Sequence, residues 1–261
     1  MRRSTRRRLY RGTNYAIFVA VVVLVLVATD WERIINQFFR WDVAREQLPG
    51  IITIALKNTI LFTVISFAGG LLLGVFMALL KLSSVGPYRW FATAYIELFR
   101  GVPALLTIFA MAYMLPIALG VRVPGGQVGA GLVGLILVAS AYMAEVIRSG
   151  IEAVPKGQAE AARSLGMSPT KTMFWVILPQ GMRITIPPMT NEFVLLLKDT
   201  SLLFIAGSTV FTKELTTFAR DGLTTHANGT PLIMAAMLYL LVTIPLTRLV
   251  AVLERKLAKT R

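Results

Sequence analysis

Residues 51–80 contain a single charged side chain, Lys57. A run of that length and character has no stable place on a water-facing surface. As a helix it would be ~45 Å long, more than the ~30 Å hydrocarbon core of a bilayer. Lipid offers the backbone no hydrogen bonds, so such a run must satisfy its own N–H and C=O groups, and a helix does that. Apolar stretches at 15–28, 90–119, 128–147, 184–210 and 231–253 follow the same logic. They predict an all-α fold, a polytopic transmembrane helical bundle with about six spans. The composition agrees, with 56% hydrophobic residues and a mean hydropathy of +0.68, well above the apolar share of an ordinary soluble domain.

The charges between these stretches give a topology. The net charge is +14, and its basic residues fall into clusters: the arginine run at 1–11; Arg148, Lys156, Arg163, Lys171 and Arg183 around 154–180; and Arg248, Arg255, Lys256, Lys259 and Arg261 at the C-terminus. Basic residues in short connections mark the cytoplasmic side. Both termini and the polar segment at 154–180 are therefore expected there, with a basic N-terminal segment at 1–14, a transmembrane domain at 15–253 and a basic tail at 254–261. The first apolar stretch looks superficially like a cleavable signal. No small-residue cleavage site precedes Asp30, and it reads as a retained span. Residues 30–47 mix both charge signs with Trp31 and Trp41, the composition of an outer interfacial segment.

Several chemistries are excluded by what is missing. The chain has no cysteine, which removes disulfides, thiolate metal sites and thiol nucleophiles. Its one histidine, His226, lies in the polar stretch THANGT without sequence-adjacent carboxylates and reads as a solvated loop residue. No GxxxxGK[ST] phosphate loop is present, so nucleotide chemistry is not expected here. The basic charge sits in loops and tails and leaves no fold-sized face for nucleic acid.

Residues 154–180, VPKGQAEAARSLGMSPTKTMFWVILPQ, read as two helices joined by a turn. Pro155 presets a helix start, Glu160, Ala161 and Ala162 favour helix, and Gly166 suits the left-handed residue that closes one. Ser168 can cap a second helix, with Pro169 in its first turn, running to a break at Pro179. Earlier in the chain, Glu97 and Arg100 are spaced to pair on one helix face.

Glu160, Ala161, Ala162, Gly166, Ile177, Leu178 and Pro179 resemble the cytoplasmic loop signature of ATP-binding cassette importer permeases. The segments ELFRGVP at 97–103, AYMAEVIRSGIEAVPKGQ at 141–158 and LLKDTSL at 196–202 resemble the polar amino-acid branch of that family, with Met143 and Ser149 as conservative departures. The resemblance covers residues from about Asn58 onward. It implies that Glu160, Ala161, Ala162, Arg163 and Gly166 form a coupling helix for a separate ATPase, which would bind ATP and Mg. It also implies a second permease copy or paralogue, an extracellular amino-acid-binding protein, and a prokaryotic cytoplasmic membrane location.

The stretch at 184–210 carries Asn191, Glu192, Lys198 and Asp199, each expensive in lipid unless paired or facing a cavity. Seven residues make nearly two helical turns, so Asn191 aligns with Lys198 and Glu192 with Asp199. Asn191 and Glu192 are thus candidate ligands for the polar groups and ammonium of an amino acid, with Asn58 as a further candidate. An inter-subunit polar seam is the competing use of this face. The function expected is a non-enzymatic transport subunit. A self-sufficient secondary amino-acid transporter is the alternative, although no internal repeat of the kind such proteins show is visible.

Overall fold

The computed structural model describes residues 3–121 and 123–258, with side chains for 13–121 and 123–256. Met1, Arg2, Arg122, Lys259, Thr260 and Arg261, and with them part of each basic cluster at the termini, lie outside the described residues. The described chain is helical throughout, with no strand among the described residues. In order it forms α1 (Arg3–Ala28), α2 (Trp31–Phe38), α3 (Trp41–Gly50), a π-turn at Ile51–Leu56, and α4 (Lys57–Leu82). Next come α5 (Gly86–Gly101), α6 (Ala104–Phe109), a π-turn at Ala110–Met114, α7 (Leu115–Leu119) and α8 (Gly126–Glu152). After α8 lie α9 (Lys156–Ser164), α10 (Pro169–Thr172), a π-turn at Met173–Ile177 and α11 (Leu178–Asp199). The chain ends with a 3-10 turn at Thr200–Ala206, α12 (Leu215–His226) and α13 (Thr230–Ala258).

Three helical segments are long and apolar enough to cross a membrane, Trp31–Leu82, Gly126–Glu152 and Thr230–Lys256, and the bent pair Gly86–Gly101 with Ala104–Leu119 makes up to four. Six spans would require two more crossings. These would be α1, whose apolar part is the shorter Thr13–Ala28, and α11, which carries Arg183, Glu192, Lys198 and Asp199.

The pair α5 and α6 meets at 104°, because Val102 precedes Pro103 and is held extended there. Glu97 and Arg100 both lie on α5 but do not form the ion pair expected of them. Arg100 instead sits over the ring of Tyr142 on α8, 5.5 Å from its centroid.

Helix α8 is the centre of the bundle, packed by α4, α5, α6 and α11. Leu135, Met143 and Ala144 on it are fully buried, and Ile147 and Ile151 nearly so. Its last turns cross α11 at backbone distance. A Cβ built on Gly150 would lie 2.1 Å from Thr185 Oγ1, and one on Gly181 would lie 3.0 Å from Ile151 Cα. Small residues at a crossing let two membrane helices gain contact along their length. Nearby, Lys81 at the end of α4 holds Glu145 of α8 at 3.0 Å, and Glu145 and Glu152 both pair with Arg148.

The opposite end of α4 is built differently. The connection between the apolar stretches at 184–210 and 231–253 contains α12, whose N-cap is Glu214. Its carboxylate accepts from the N–H groups of Thr216 at 2.6 Å and Thr217 at 2.7 Å. It also accepts the Thr217 hydroxyl, and Tyr239 of α13 reaches it at 3.5 Å. Thr59 Oγ1 of α4 accepts from Leu215 N at 3.1 Å. Ile51, Ala55, Leu215, Ala219 and Ala235 then bury one another in a second, smaller core. Glutamate is not among the favoured N-caps, which hid this helix from a reading of the sequence. His226 ends α12, and it is not the solvated residue expected. Its ring is mostly covered, with Nε2 2.9 Å from Gln47 Nε2 and 3.9 Å from Glu46.

Two predictions follow from this packing. Gly150→Ala must displace Thr185 and should lower stability by ~1–3 kcal/mol, whereas Gly157→Ala, with open space at its Cβ, should be neutral or slightly stabilising. Equal melting temperatures for the two variants would contradict the assigned crossing. Burial pushes the Glu214 carboxyl above its ordinary value, against the lowering effect of hydrogen bonds from Thr217 and Thr216. A raised carboxyl contributes stability below its ordinary pKa and loses it as pH rises through the raised value. Melting curves across that range should show Glu214→Gln gaining on the parent as pH rises; a constant difference would rule this out.

Candidate coupling elbow and polar passage

The elbow forms as the sequence suggests at its start. Pro155 precedes α9, and at its end Leu165 N donates to Ala161 O at 3.1 Å and Met167 N to Ala162 O at 3.2 Å. Gly166 follows at φ 82°, the left-handed region that favours glycine. Ala162 faces inward and is buried, while Glu160, Ala161, Arg163 and Gly166 are exposed. Nothing lies within 4 Å of a Cβ built on Gly166, so its surroundings within the chain are open. Leu165 beside it is 86% exposed. A large apolar side chain projecting beside charged neighbours is a contact residue that sequence reading passed over, because helical spacing alone does not say which way it points.

The second half departs from expectation. Ser168 Oγ does cap α10 by accepting from Lys171 N at 3.4 Å, but Pro179 does not break the chain. It sits in the first turn of α11, directly after the π-turn at Met173–Ile177. A proline lacks its N–H and crowds the carbonyl four residues back. Widening the preceding turn, so that Leu178 N bonds to Met173 O, shifts that carbonyl and lets the helix continue. Pro187 and Pro188 likewise lie inside α11. Residues 169–199 therefore form one uninterrupted rod. Gln180 Nε2 ties it to Gln158 of α9 at 3.3 Å, and Val154 and Ile177 are buried between the two limbs.

Further along that rod, Asn191 and Lys198 are exposed on one face, and Glu192 and Asp199 are half-buried beside them. Glu192 has no hydrogen bond or ion pair among the described residues. Phe193 packs edge-on against Phe67 of α4, with ring centroids 5.2 Å apart, which sets the level at which α4 passes this face. Asn58 is elsewhere. It precedes Phe67 by nine residues, ~14 Å along the helix, and its amide donates to the carbonyls of Phe211 at 2.7 Å and Lys213 at 3.0 Å. The structure thus brings Asn191 and Glu192 together and leaves Asn58 at the entry to α12.

This arrangement can pass motion and can offer charge. A surface-projecting helix is locked to a rod whose far half exposes an amide and holds an unpaired carboxylate.

Comparison with known proteins agrees with this layout. Residues 70–259 match the family described as the binding-protein-dependent transport system inner membrane component. The chain is 39% identical over 203 residues to the probable glutamine ABC transporter permease protein GlnM of Bacillus subtilis, covering 78% of this chain and 91% of that one. It is 34% identical over 211 residues to the arginine transport system permease protein ArtQ of the same organism, covering 81% and 94%. A crystal structure of an amino acid ABC transporter superposes with a TM-score of 0.73 at 34% identity, over 81% of this chain and 95% of that one. The methionine transporter MetNI, at 19% identity and a TM-score of 0.60, shares the fold. The chain belongs to the binding-protein-dependent transport system inner membrane component family and is a multi-pass permease subunit of the ABC transporter type.

Proposed function

We propose that this chain is the permease subunit of an importer for a polar amino acid, driven by a separate ATPase that docks on α9. The observation that carries the reading is the continuity between the exposed elbow and the polar face of α11. Relatives of this chain are named for glutamine, cystine and arginine transport, which supports an amino-acid substrate. A self-sufficient secondary transporter, the alternative left open by the sequence, is not what this family comprises.

In this reading ATP and Mg sit on the partner ATPase, and this chain supplies the contact and the passage. Glu160, Ala161, Arg163, Leu165 and Gly166 present the docking surface, with the apolar Leu165 entering a groove and the charged pair flanking it. Ala162 and Val154 anchor α9 to the bundle. A movement imposed on α9 is passed to α11, whose crossing with α8 at Gly150 and Gly181 makes the limbs move together as a rigid body. Alternating access then tilts the face bearing Asn191 and Glu192 between the two sides. Glu192 accepts the substrate ammonium and Asn191 offers its amide, while Asn58 contributes by holding the entry to α12. Six spans, with α1 and α11 crossing, put both termini and the elbow in the cytoplasm and α12 outside. A second permease copy or paralogue completes the passage, and an extracellular binding protein delivers the amino acid.

Two variants test this. Gly166→Asp places a charged side chain at a left-handed position on the docking surface. Substrate-stimulated ATP hydrolysis of the reconstituted complex should drop about tenfold, the equivalent of ~1.4 kcal/mol of docking energy. Normal copurification together with normal import would show that α9 is not the contact. Glu192→Gln removes the charge at nearly constant shape. A charged hydrogen bond contributes ~1.5–3 kcal/mol, so import should weaken by about ten- to a hundredfold while assembly and basal ATP hydrolysis persist. A complex that dissociates on purification would instead assign Glu192 to a subunit seam.

A further inference from the structure

Helix α2 is amphipathic in a way the transport reading does not use. At 100° per residue, Trp31, Ile34, Ile35 and Phe38 fall within one arc of about 100°, and Glu32, Arg33, Asn36 and Gln37 occupy the opposite side. Of the apolar set only Ile34 is half-buried; Trp31, Ile35 and Phe38 are exposed, and Phe39 and Trp41 beyond them are exposed as well.

The ends of two apolar helices, α1 and α13, bracket this helix. Before it, every described residue of α1 from Thr13 to Ala28 is exposed, and the segment is apolar on all faces from Tyr15 onward. The turn between them is only Thr29 and Asp30, and Asp30 caps α2 by accepting from Arg33 N at 2.9 Å. The Trp31 indole N–H donates back to Leu26 O at 2.7 Å, so the ring lies against the last turn of a lipid-exposed helix. After it, Arg40 N donates to Thr230 Oγ1 at 2.9 Å, and Thr230 is the first residue of α13. The polar edge of α2 is clamped there too, by Asn228 Nδ2 to Asn36 O at 2.9 Å and Gly229 N to Gln37 O at 2.7 Å. Both brackets lie at the same end of the bundle, the end of α4 opposite the elbow.

We propose that α2 is an in-plane membrane foot, with Trp31, Ile35 and Phe38 inserted at the boundary between lipid headgroups and acyl chains, and that its clamp to Asn228, Gly229 and Thr230 sets the depth of the α12–α13 corner. A helix joining two span ends at one boundary has to lie in that boundary, and an apolar arc opposite a charged one is the form that does so. The indole at its start is a side chain suited to that depth. The foot also answers a mismatch: Thr13 to Ala28 rises ~24 Å, short of the ~30 Å core, and interfacial aromatic anchors offset such a deficit. This inference rests on the membrane embedding of the chain and is independent of substrate or coupling.

The chain has no cysteine, so a single introduced cysteine gives one labelled position per copy of this chain, read in the complex assembled with cysteine-free partners. Three variants suffice, Ile35→Cys on the apolar arc, Arg33→Cys on the polar arc and Leu24→Cys on α1, in vesicles of phosphatidylethanolamine and phosphatidylglycerol. The foot predicts that the label at 35 collides severalfold more with oxygen than with a water-soluble nickel chelate, and that the label at 33 does the reverse. With the label at 24 in lipid, equal nickel exposure at 33 and 35 would overturn the foot, and so would protection of position 35 from both reagents, which would place protein over it. A label at 24 reached by nickel would remove α1 from the membrane and the foot with it.

Discussion

The architecture depends on one close approach. Where α8 meets α11, Gly150 and Gly181 let two backbones come within a distance no side chain would permit. That contact sits immediately before the elbow on one limb and immediately after it on the other. The loop between Glu152 and Leu178 is consequently not a flexible connection. It is a bracket whose two arms are fixed at the base, braced by Gln158 to Gln180, and closed inside by Val154, Ala162 and Ile177. The ion-pair group of Lys81, Glu145, Arg148 and Glu152 adds a polar tie from α4 to the same base. Lys81, Glu145 and Arg148 are only partly exposed, so their pairing is less screened than a surface bridge, while Glu152 lies at the exposed edge.

The two ends of the bundle do different work with different chemistry. At the elbow end, close backbone packing and charge pairs favour stiffness. At the other end, Glu214, Tyr239 and the threonines around them make a buried polar cluster that positions α12 between α4 and α13. A polar cluster with its hydrogen bonds satisfied holds one arrangement in a site where apolar packing alone could slide. Between these ends runs the face of α11 that carries Asn191 and Glu192.

How much of this was legible beforehand can be traced residue by residue. The long apolar helices at 51–80, 128–147 and 231–253, the helix at α9 and its end at Gly166 followed from apolar run length, proline and glycine placement, and charge. The continuity of α10 into α11 did not, because Pro179 is a helix breaker on local rules and the π-turn that rescues it depends on the packing around it. Helix α12 was missed because its cap is a buried glutamate supported by a tyrosine from another helix. The covering of His226 was missed for a related reason: Glu46 and Gln47 are brought to it from α3, far away in sequence. Glu97 and Arg100 have the right spacing to pair, but Arg100 lies over the Tyr142 ring of α8, a partner from another helix that spacing along one helix does not reveal. The alignment of Asn191 with Lys198 and of Glu192 with Asp199 followed from helical period, which an uninterrupted helix preserves; Asn58 lies on another helix, whose register against α11 no local pattern specifies.

The central claim is that the elbow and α11 move as one body. It is tested most directly by measuring the distance between spin labels at Ala161→Cys on α9 and Leu195→Cys on α11 within one chain of the assembled transporter, with and without ATP and binding protein. The account predicts an unchanged distance distribution in a complex that still transports. A shift of about 5 Å or more, one helical turn, would mean that α9 hinges independently, and would contradict the role assigned to the Gly150–Gly181 crossing.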